Sequence, residues 1–310
     1  MATSKILFCC AICLSLTYSG FTQSCAELQL KVVADSLFKQ KKYETAKNSY
    51  LQFIKTKYAR NLTYYYTSMS YIQLANIDSA IFYLQQGARK GLRYYEIKDF
   101  EQDINLVPLK EHSKWRKLAS LIRKNTLRFA TPKLKVQKDF AKRRILDQQY
   151  RNLLNKIDSA NINAKDSIWN EQTQLDIDNQ RWLNKFICKH GFPTISKVGK
   201  EAAHTAWLIV QHADNNIAYQ QKYLKKMQKF ISKKEVDLMN VAYLTDRILV
   251  NSGKKQIYGT QFRKMKKGET YVLEPRPIQH ESCVDVQRHY MGLPTLAFYL
   301  EQASNRYHRD

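Results

Sequence analysis

Residues 198–214, VGKEAAHTAWLIVQHAD, decide how the rest of the chain is read. Ala202, Ala203, Ala206, Trp207, Leu208, Ile209, Val210 and Ala213 leave almost no polar face, and a helix apolar nearly all round belongs inside a domain. His204, Gln211, His212 and Asp214 share the segment, and buried polar groups need partners. The stretch is therefore either a core helix with satisfied polar residues or the floor of a binding site. Both readings put it at the centre of a domain built mainly from helices.

The composition agrees. In 310 residues, 44% are hydrophobic and 12% aromatic, while glycine and proline are sparse. That balance favours helices over a turn-rich β sandwich, and the length suits one large domain or two ordinary ones. The net charge of +24 attracts anionic partners in general, so the compartment has to choose among them. Residues 1–24 follow the order of a secretory signal peptide: Lys5, an apolar run from Ile6 to Tyr18, then Ser19, Gly20, Thr22 and Ser24. No later run approaches the ~18 apolar residues that a membrane span needs. The expected product is exported, periplasmic or secreted. There, an anionic envelope surface or glycan suits the charge better than nucleic acid does.

Loss of Cys9, Cys10 and Cys13 with the signal leaves Cys25, Cys188 and Cys283. Cys188–Cys283 is the expected bridge and Cys25 the leftover. Lipoprotein anchoring through Cys25 is the less favoured alternative, because Thr22-Gln23-Ser24 lacks the leucine of a Leu-small-small-Cys signal.

The first domain, expected over residues 25–126, repeats. Ala34/Ser68, Leu37/Tyr71, Tyr43/Ile77, Ala46/Ala80 and Tyr50/Leu84 are each 34 positions apart, the tetratricopeptide period. Small residues let two antiparallel helices close on each other, and larger ones fill the gaps between successive pairs. The chain resembles the tetratricopeptide repeat family over roughly residues 28–125. It departs in lacking the proline that usually ends a repeat, and in having Gly87 where a bulkier residue is common. FEQDINLVPLKEHSKWRKLASLIRK reads as a degenerate third unit or a capping helix, which a short array needs. Such a region implies a protein partner. Residues 127–141, with Pro132, read as a linker.

Residues 142–310 form the second domain. A long polar helix places Ile145, Leu146, Tyr150, Leu153, Leu154 and Ile157 at helical spacing, and another spans Asp166 to Lys189. After the central helix come amphipathic helices over Tyr219–Ile231 and Glu235–Val250. Strand-like runs follow at Gln256–Phe262 and Thr270–Leu273, giving one small β-hairpin. The fold class is thus mainly α, with repeat-like hairpins followed by a helical domain. Three blocks, HGFPTISKVGKEAAHTAWLIVQHAD, YLTDRILVNSGKKQIYGTQF and VDVQRHYMGLPTLAFYL, are similar to a bacterial family called domain of unknown function 6624. The similarity covers roughly residues 140–303. It implies an architecture and a candidate site, but no activity.

The polar positions in those blocks are Trp207, Gln211, His212, Asp214, Asp246, Arg247, Gln256, Tyr258, Gln261, Asp285 and Arg288. A lone histidine on an apolar helix is ordinarily a hydrogen-bonded core residue. The functional alternative is a general base, since imidazole titrates near neutrality. His204 lies two turns before Gln211, so those two are expected to share a network. Asp214 reads first as a helix cap, and Asp246-Arg247 as an ion pair with Asp285 or Arg288. Gly259 permits close approach of a ligand or helix.

No HExxH, paired CxxC, Walker loop or GxSxG is present, so no metal or cofactor is assigned. The leading expectation is a protein- or envelope-binding scaffold. The alternative is a hydrolase-like enzyme acting on a polar envelope substrate through His212 with Asp214 or Asp246. Trp207, Gln211, Arg247, Gln256, Tyr258, Gln261, Asp285 and Arg288 would then be its binding residues.

Overall fold

The computed structural model describes residues 24–94, 96–130, 132–157, 162–268 and 270–307. Apart from Ser24, the expected signal peptide lies outside the described residues. The chain divides into two compact units, residues 1–125 and 126–310. No helix among the described residues is long and apolar enough to cross a membrane.

The first unit contains α1 (residues 24–39), α2 (Tyr43–Ile54), α3 (Asn61–Gln73), α4 (Ile77–Arg89), the short α5 (Ile97–Glu101), a 3-10 segment (Ile104–Leu109) and the start of α6 (Trp115–Ala130). The 34-residue equivalence holds in three dimensions. Ala34, Ala46 and Tyr50 are buried, and so are Ser68, Ala80 and Leu84 one period on. Ser68 satisfies its hydroxyl by donating to the Ala80 carbonyl at 2.8 Å. The turns match too. Lys41 and Ala75 both take left-handed backbone, φ 60 and 56, while Lys42 N donates to Leu37 O and Asn76 N to Tyr71 O.

Gly87 has its own reason. A Cβ there would stand 3.1 Å from both Asn61 O and Tyr64 Cβ, so the missing side chain lets α4 close on α3. The tail beyond α4 closes a core in which Leu106, Leu109, Leu118 and Ile122 join Ile81 and Leu84. The division between units falls inside α6, whose last residues, 127–130, are helical where a linker is expected.

The second unit continues with α7 (Gln137–Lys156), α8 (Ile162–His190), α9 (Ile195–Val198), α10 (Lys200–Gln211), α11 (Ile217–Gln228) and α12 (Leu238–Asn251), then β1 (Phe262–Lys267), β2 (Thr270–Pro275), α13 (Val284–Met291) and α14 (Leu296–Tyr307). The stretch 198–214 is central, as its composition predicts: α10 packs against α7, α8, α9, α11 and α12. Ala202, Ala206, Ile209 and Val210 are buried in that core. Gly199, at φ 87, separates α9 from α10. At the other end, the buried Gln220 side chain donates to the carbonyls of Val210 and Gln211, both at 3.2 Å, which satisfies carbonyls that a helix end leaves open.

The hairpin is antiparallel, with Phe262 opposite Pro275 and Lys267 opposite Thr270. Its first strand begins only at Phe262. Residues 256–261 are not the expected strand, because Asp246 captures their amides and Gly259 turns the chain at φ 66. The cysteines also differ from expectation: Cys188 is free and exposed, while Cys25 and Cys283 are each disulfide-bonded. Cys188 lies on the exposed surface of α8 with its thiol unbridged, so the expected pairing with Cys283 does not form.

Candidate functional site

A polar cluster of the second unit forms where α7 and α8 meet the end of α10. On α7, Asp147 and Arg151 are one turn apart and share a face. On α8, the same spacing joins Gln172 and Asp176. His212, the residue that closes α10, reaches this junction.

His212 Nδ1 lies 2.9 Å from Asp147 Oδ1, and Gln148 Nε2 donates to the other oxygen at 2.7 Å. Arg151 spans both acids. Its Nη2 donates to the two oxygens of Asp176 at 2.8 Å, and its Nε stands 3.8 Å from Asp147, an ion-pair distance too long for a hydrogen bond. Gln172 Nε2 donates to Asp176 at 2.9 Å.

The two carboxylates are held differently. Burial pushes the Asp147 carboxyl up, but the hydrogen bond and charge of His212, with Arg151 and Gln148, outweigh it and hold the group below its ordinary value. At Asp176 burial prevails over Arg151 and raises the group above its ordinary value.

Several polar atoms at this junction are buried without a hydrogen-bond partner: Arg151 Nε, Gln172 Oε1 and Asn179 Nδ2, with Gln211 Oε1 at the end of α10. Leaving such atoms unpaired costs about 1–3 kcal/mol each, so this junction is less completely satisfied than the rest of the core it adjoins. The His212 side chain is 14% exposed, and its Nε2 has no partner among the described residues. An imidazole anchored through one nitrogen by a buried carboxylate, with the other free, is equipped to take up and release a proton.

Asp147, Asp176 and His212 also offer ligand atoms within 4.8 Å of one another, a set able to hold a metal ion. The single positive charge of Arg151 lies between those two acids and offsets one of their two negative charges. The sequence assigns no metal here, and it misses the trio because its members come from three helices.

The other expected site residues have structural work. Arg247 grips Asp214 through Nε at 2.7 Å and through Nη2, with Asn251 adding a bond at 2.9 Å. Burial pushes the Asp214 carboxyl up, but Arg247 brings it below its ordinary value. Asp246 is fully buried and accepts from the amides of Ile257, Tyr258 and Thr260 and from the Thr260 hydroxyl. It does not pair with Arg288. Arg288, also buried, donates instead to the carbonyls of Pro294, Tyr258 and Gly259, and Asp285 accepts from the amide of Leu296 at the start of α14.

Gln256 ties the same loop, donating to Gln261 O and Arg276 O and accepting from Gln261 N. A Cβ on Gly259 would stand 2.8 Å from Leu296 Cδ1, so the close neighbour there is a helix and not a ligand. His204 does not reach Gln211: it bonds Asn240 at 3.2 Å and packs at a tilt beside Trp207. His204 and Trp207 line a cavity that includes neither Gln211, His212, Arg247 nor Gln261.

The family model described as a family of unknown function (DUF6624) matches residues 135–309, more than half of the chain. The chain belongs to that family. No curated protein and no solved structure matches it.

The DUF6624 match takes in both α7 and α8, where the residues missed from the sequence reside. Asp147, Gln148, Arg151, Gln172 and Asp176 carry a legible signal in the spacing of acids, amides and arginine by one helical turn. The apolar spacing of α7 points to the opposite face. Ile145 is 67% exposed, whereas Asp147 is 1% exposed.

Proposed function

We propose that the DUF6624 domain of this chain is an acid–base enzyme of hydrolase-like type, acting on a polar substrate of the cell envelope. His212 is the proton-transfer group. Asp147 orients its ring and stabilises the imidazolium, a role in which Asp147 replaces the Asp214 or Asp246 expected from the sequence. Arg151 and Asp176 complete the polar wall. The observation that carries this reading is the buried Asp147 carboxylate holding Nδ1 at 2.9 Å while Nε2 is unpartnered among the described residues. Disulfides at Cys25 and Cys283 support an exported protein, and a bridged Cys25 has no thiol with which to carry a lipid.

The test is product release from isolated envelope material, followed by mass spectrometry. Wild-type protein should generate species that His212→Gln and Asp147→Asn do not, with both variants retaining native circular dichroism. Identical product profiles for wild type and His212→Gln would end the catalytic reading.

The second reading is a scaffold whose first unit binds a protein, with tetratricopeptide-like hairpins as the binding surface. It is favoured by the equivalent turns at Lys41 and Ala75 and the equivalent buried pairs in that unit. A partner captured from envelope extracts by the full chain, and lost when the exposed Phe82 and Leu62 are both changed to Asp, would support it. Retention of every captured protein by that double variant would count against it.

A further inference from the structure

Asp147, Asp176 and His212 meet from α7, α8 and the end of α10, each with a ligand atom within 4.8 Å of the other two. Ligands of one cation at ~2.1 Å stand about 3–4 Å apart, so the trio is already close to the spacing of a coordination shell. Burial separates it from an ordinary acidic surface. Asp147 is 1% exposed, while the side chains of Asp176 and His212, at 13% and 14%, leave a path from solvent.

Both acids keep room for a further partner. Among the described residues, Asp147 Oδ1 takes one hydrogen bond, from His212, and Asp176 Oδ2 takes one, from Arg151. A carboxylate oxygen has two acceptor positions. Arg151 offsets only one of the two negative charges, so the cluster stays anionic in a largely buried place, which is costly without a further cation.

Gln172 points the same way. It is 2% exposed, its Nε2 donates to Asp176 Oδ1 at 2.9 Å, and its Oε1 is buried without a partner. A half-turn of that amide exchanges nitrogen for oxygen, which sets a neutral oxygen donor beside Asp176.

We propose that Asp147, Asp176 and His212, with the amide oxygen of Gln172, bind one divalent cation of the Mn²⁺ class. Carboxylate and amide oxygens suit a hard cation, the imidazole favours a transition metal over Ca²⁺ or Mg²⁺, and the set contains no thiolate to select a softer ion. The cation takes the place of the Nδ1 proton that now bonds Asp147, and that proton is released to solvent. His212 then carries its proton on Nε2, so the loaded ring is not a base and the two forms exclude each other. This site does not depend on the acid–base reading, and measuring the ion directly lets the two fail separately.

The test is titration of the full, chelator-treated chain with Mn²⁺, following the electron paramagnetic resonance signal of the free ion. Mn²⁺ is the probe because the exposed Cys188 thiol would hold softer ions such as Zn²⁺. Wild type should take up one ion per chain, saturably, in the micromolar range. His212→Gln and Asp176→Asn, each with native circular dichroism, should weaken binding at least about tenfold. Arg151→Gln should bind at least as tightly as wild type, because it removes a positive charge beside the ion. Asp78→Asn, at the His112–Asp78 pair of the first unit (3.0 Å), should bind as wild type does. No saturable uptake would overturn the site. So would unchanged affinity in both ligand variants, weaker binding by Arg151→Gln, or an equal loss with Asp78→Asn.

Discussion

Asp246 and Asp147 are both buried carboxylates of the same domain, and they do opposite things. Asp246 is closed. Three backbone amides and a threonine hydroxyl occupy its two oxygens, so it holds the 257–260 loop in one shape. Asp147 is open. Its partners are ionisable or flexible side chains, His212, Arg151 and Gln148, and unpartnered polar atoms surround them. Burial does not distinguish the two carboxylates; what does is that Asp246 is held by fixed backbone amides and Asp147 by side chains.

Asp246→Ala is the harshest test of that contrast. It strands the loop amides in a dry place, and the expected loss is roughly 3–5 kcal/mol in urea denaturation. Gly259→Ala probes the same loop from the other side. Its φ of 66 and the 2.8 Å approach to Leu296 should cost roughly 1–3 kcal/mol. Asp147→Asn keeps the shape and removes the charge, and it should cost only about 1–2 kcal/mol while ending product release. Should Asp147→Asn prove as destabilising as Asp246→Ala, the open carboxylate is a structural clasp too.

The acid limb of stability sharpens the comparison within the open cluster. Asp147 has a folded pKa below its unfolded value of ~3.9. Its contribution is therefore present above that value and lost as pH falls through the folded one. Asp176 has the opposite shift, so its contribution is present below ~3.9 and lost as pH rises through its folded value. Against wild type, Asp147→Asn should recover relative stability as pH falls, and Asp176→Asn should gain it as pH rises from that point. Parallel pH profiles for the two variants, measured by denaturation, would mean that His212 does not hold Asp147 down while burial holds Asp176 up.

The central helix was legible because its apolar residues are local and continuous, and the repeat was legible because a fixed period survives in one dimension. The open cluster was not. Asp147, Asp176 and His212 lie on three helices, and the apolar residues of α7 that periodicity selects, Ile145, Leu146 and Leu153, turn outward. Periodicity assumes that the apolar face is the buried one. α7 breaks that assumption, because its inner face carries Asp147 and Arg151 as well as the buried Phe140. Residues 256–261 were misread for a related reason: β-rich composition favours a strand, but a long-range carboxylate took their amides first.

The mildest test lies at Asp214, the acid that the sequence places nearest to His212. Arg247 holds it with two nitrogens, while Asn251 and Gln220 add side-chain bonds. The pair is partly exposed, so water and salt screen it. Arg247→Lys replaces a planar fork with a single point charge and keeps the sign. The expected loss is about 0.5–1 kcal/mol, shrinking in high salt, with product release unaffected. Activity that fell with Arg247→Lys while stability held would move Asp214 from the frame of the domain into its chemistry, and Asp147 would no longer be the one carboxylate through which His212 is read.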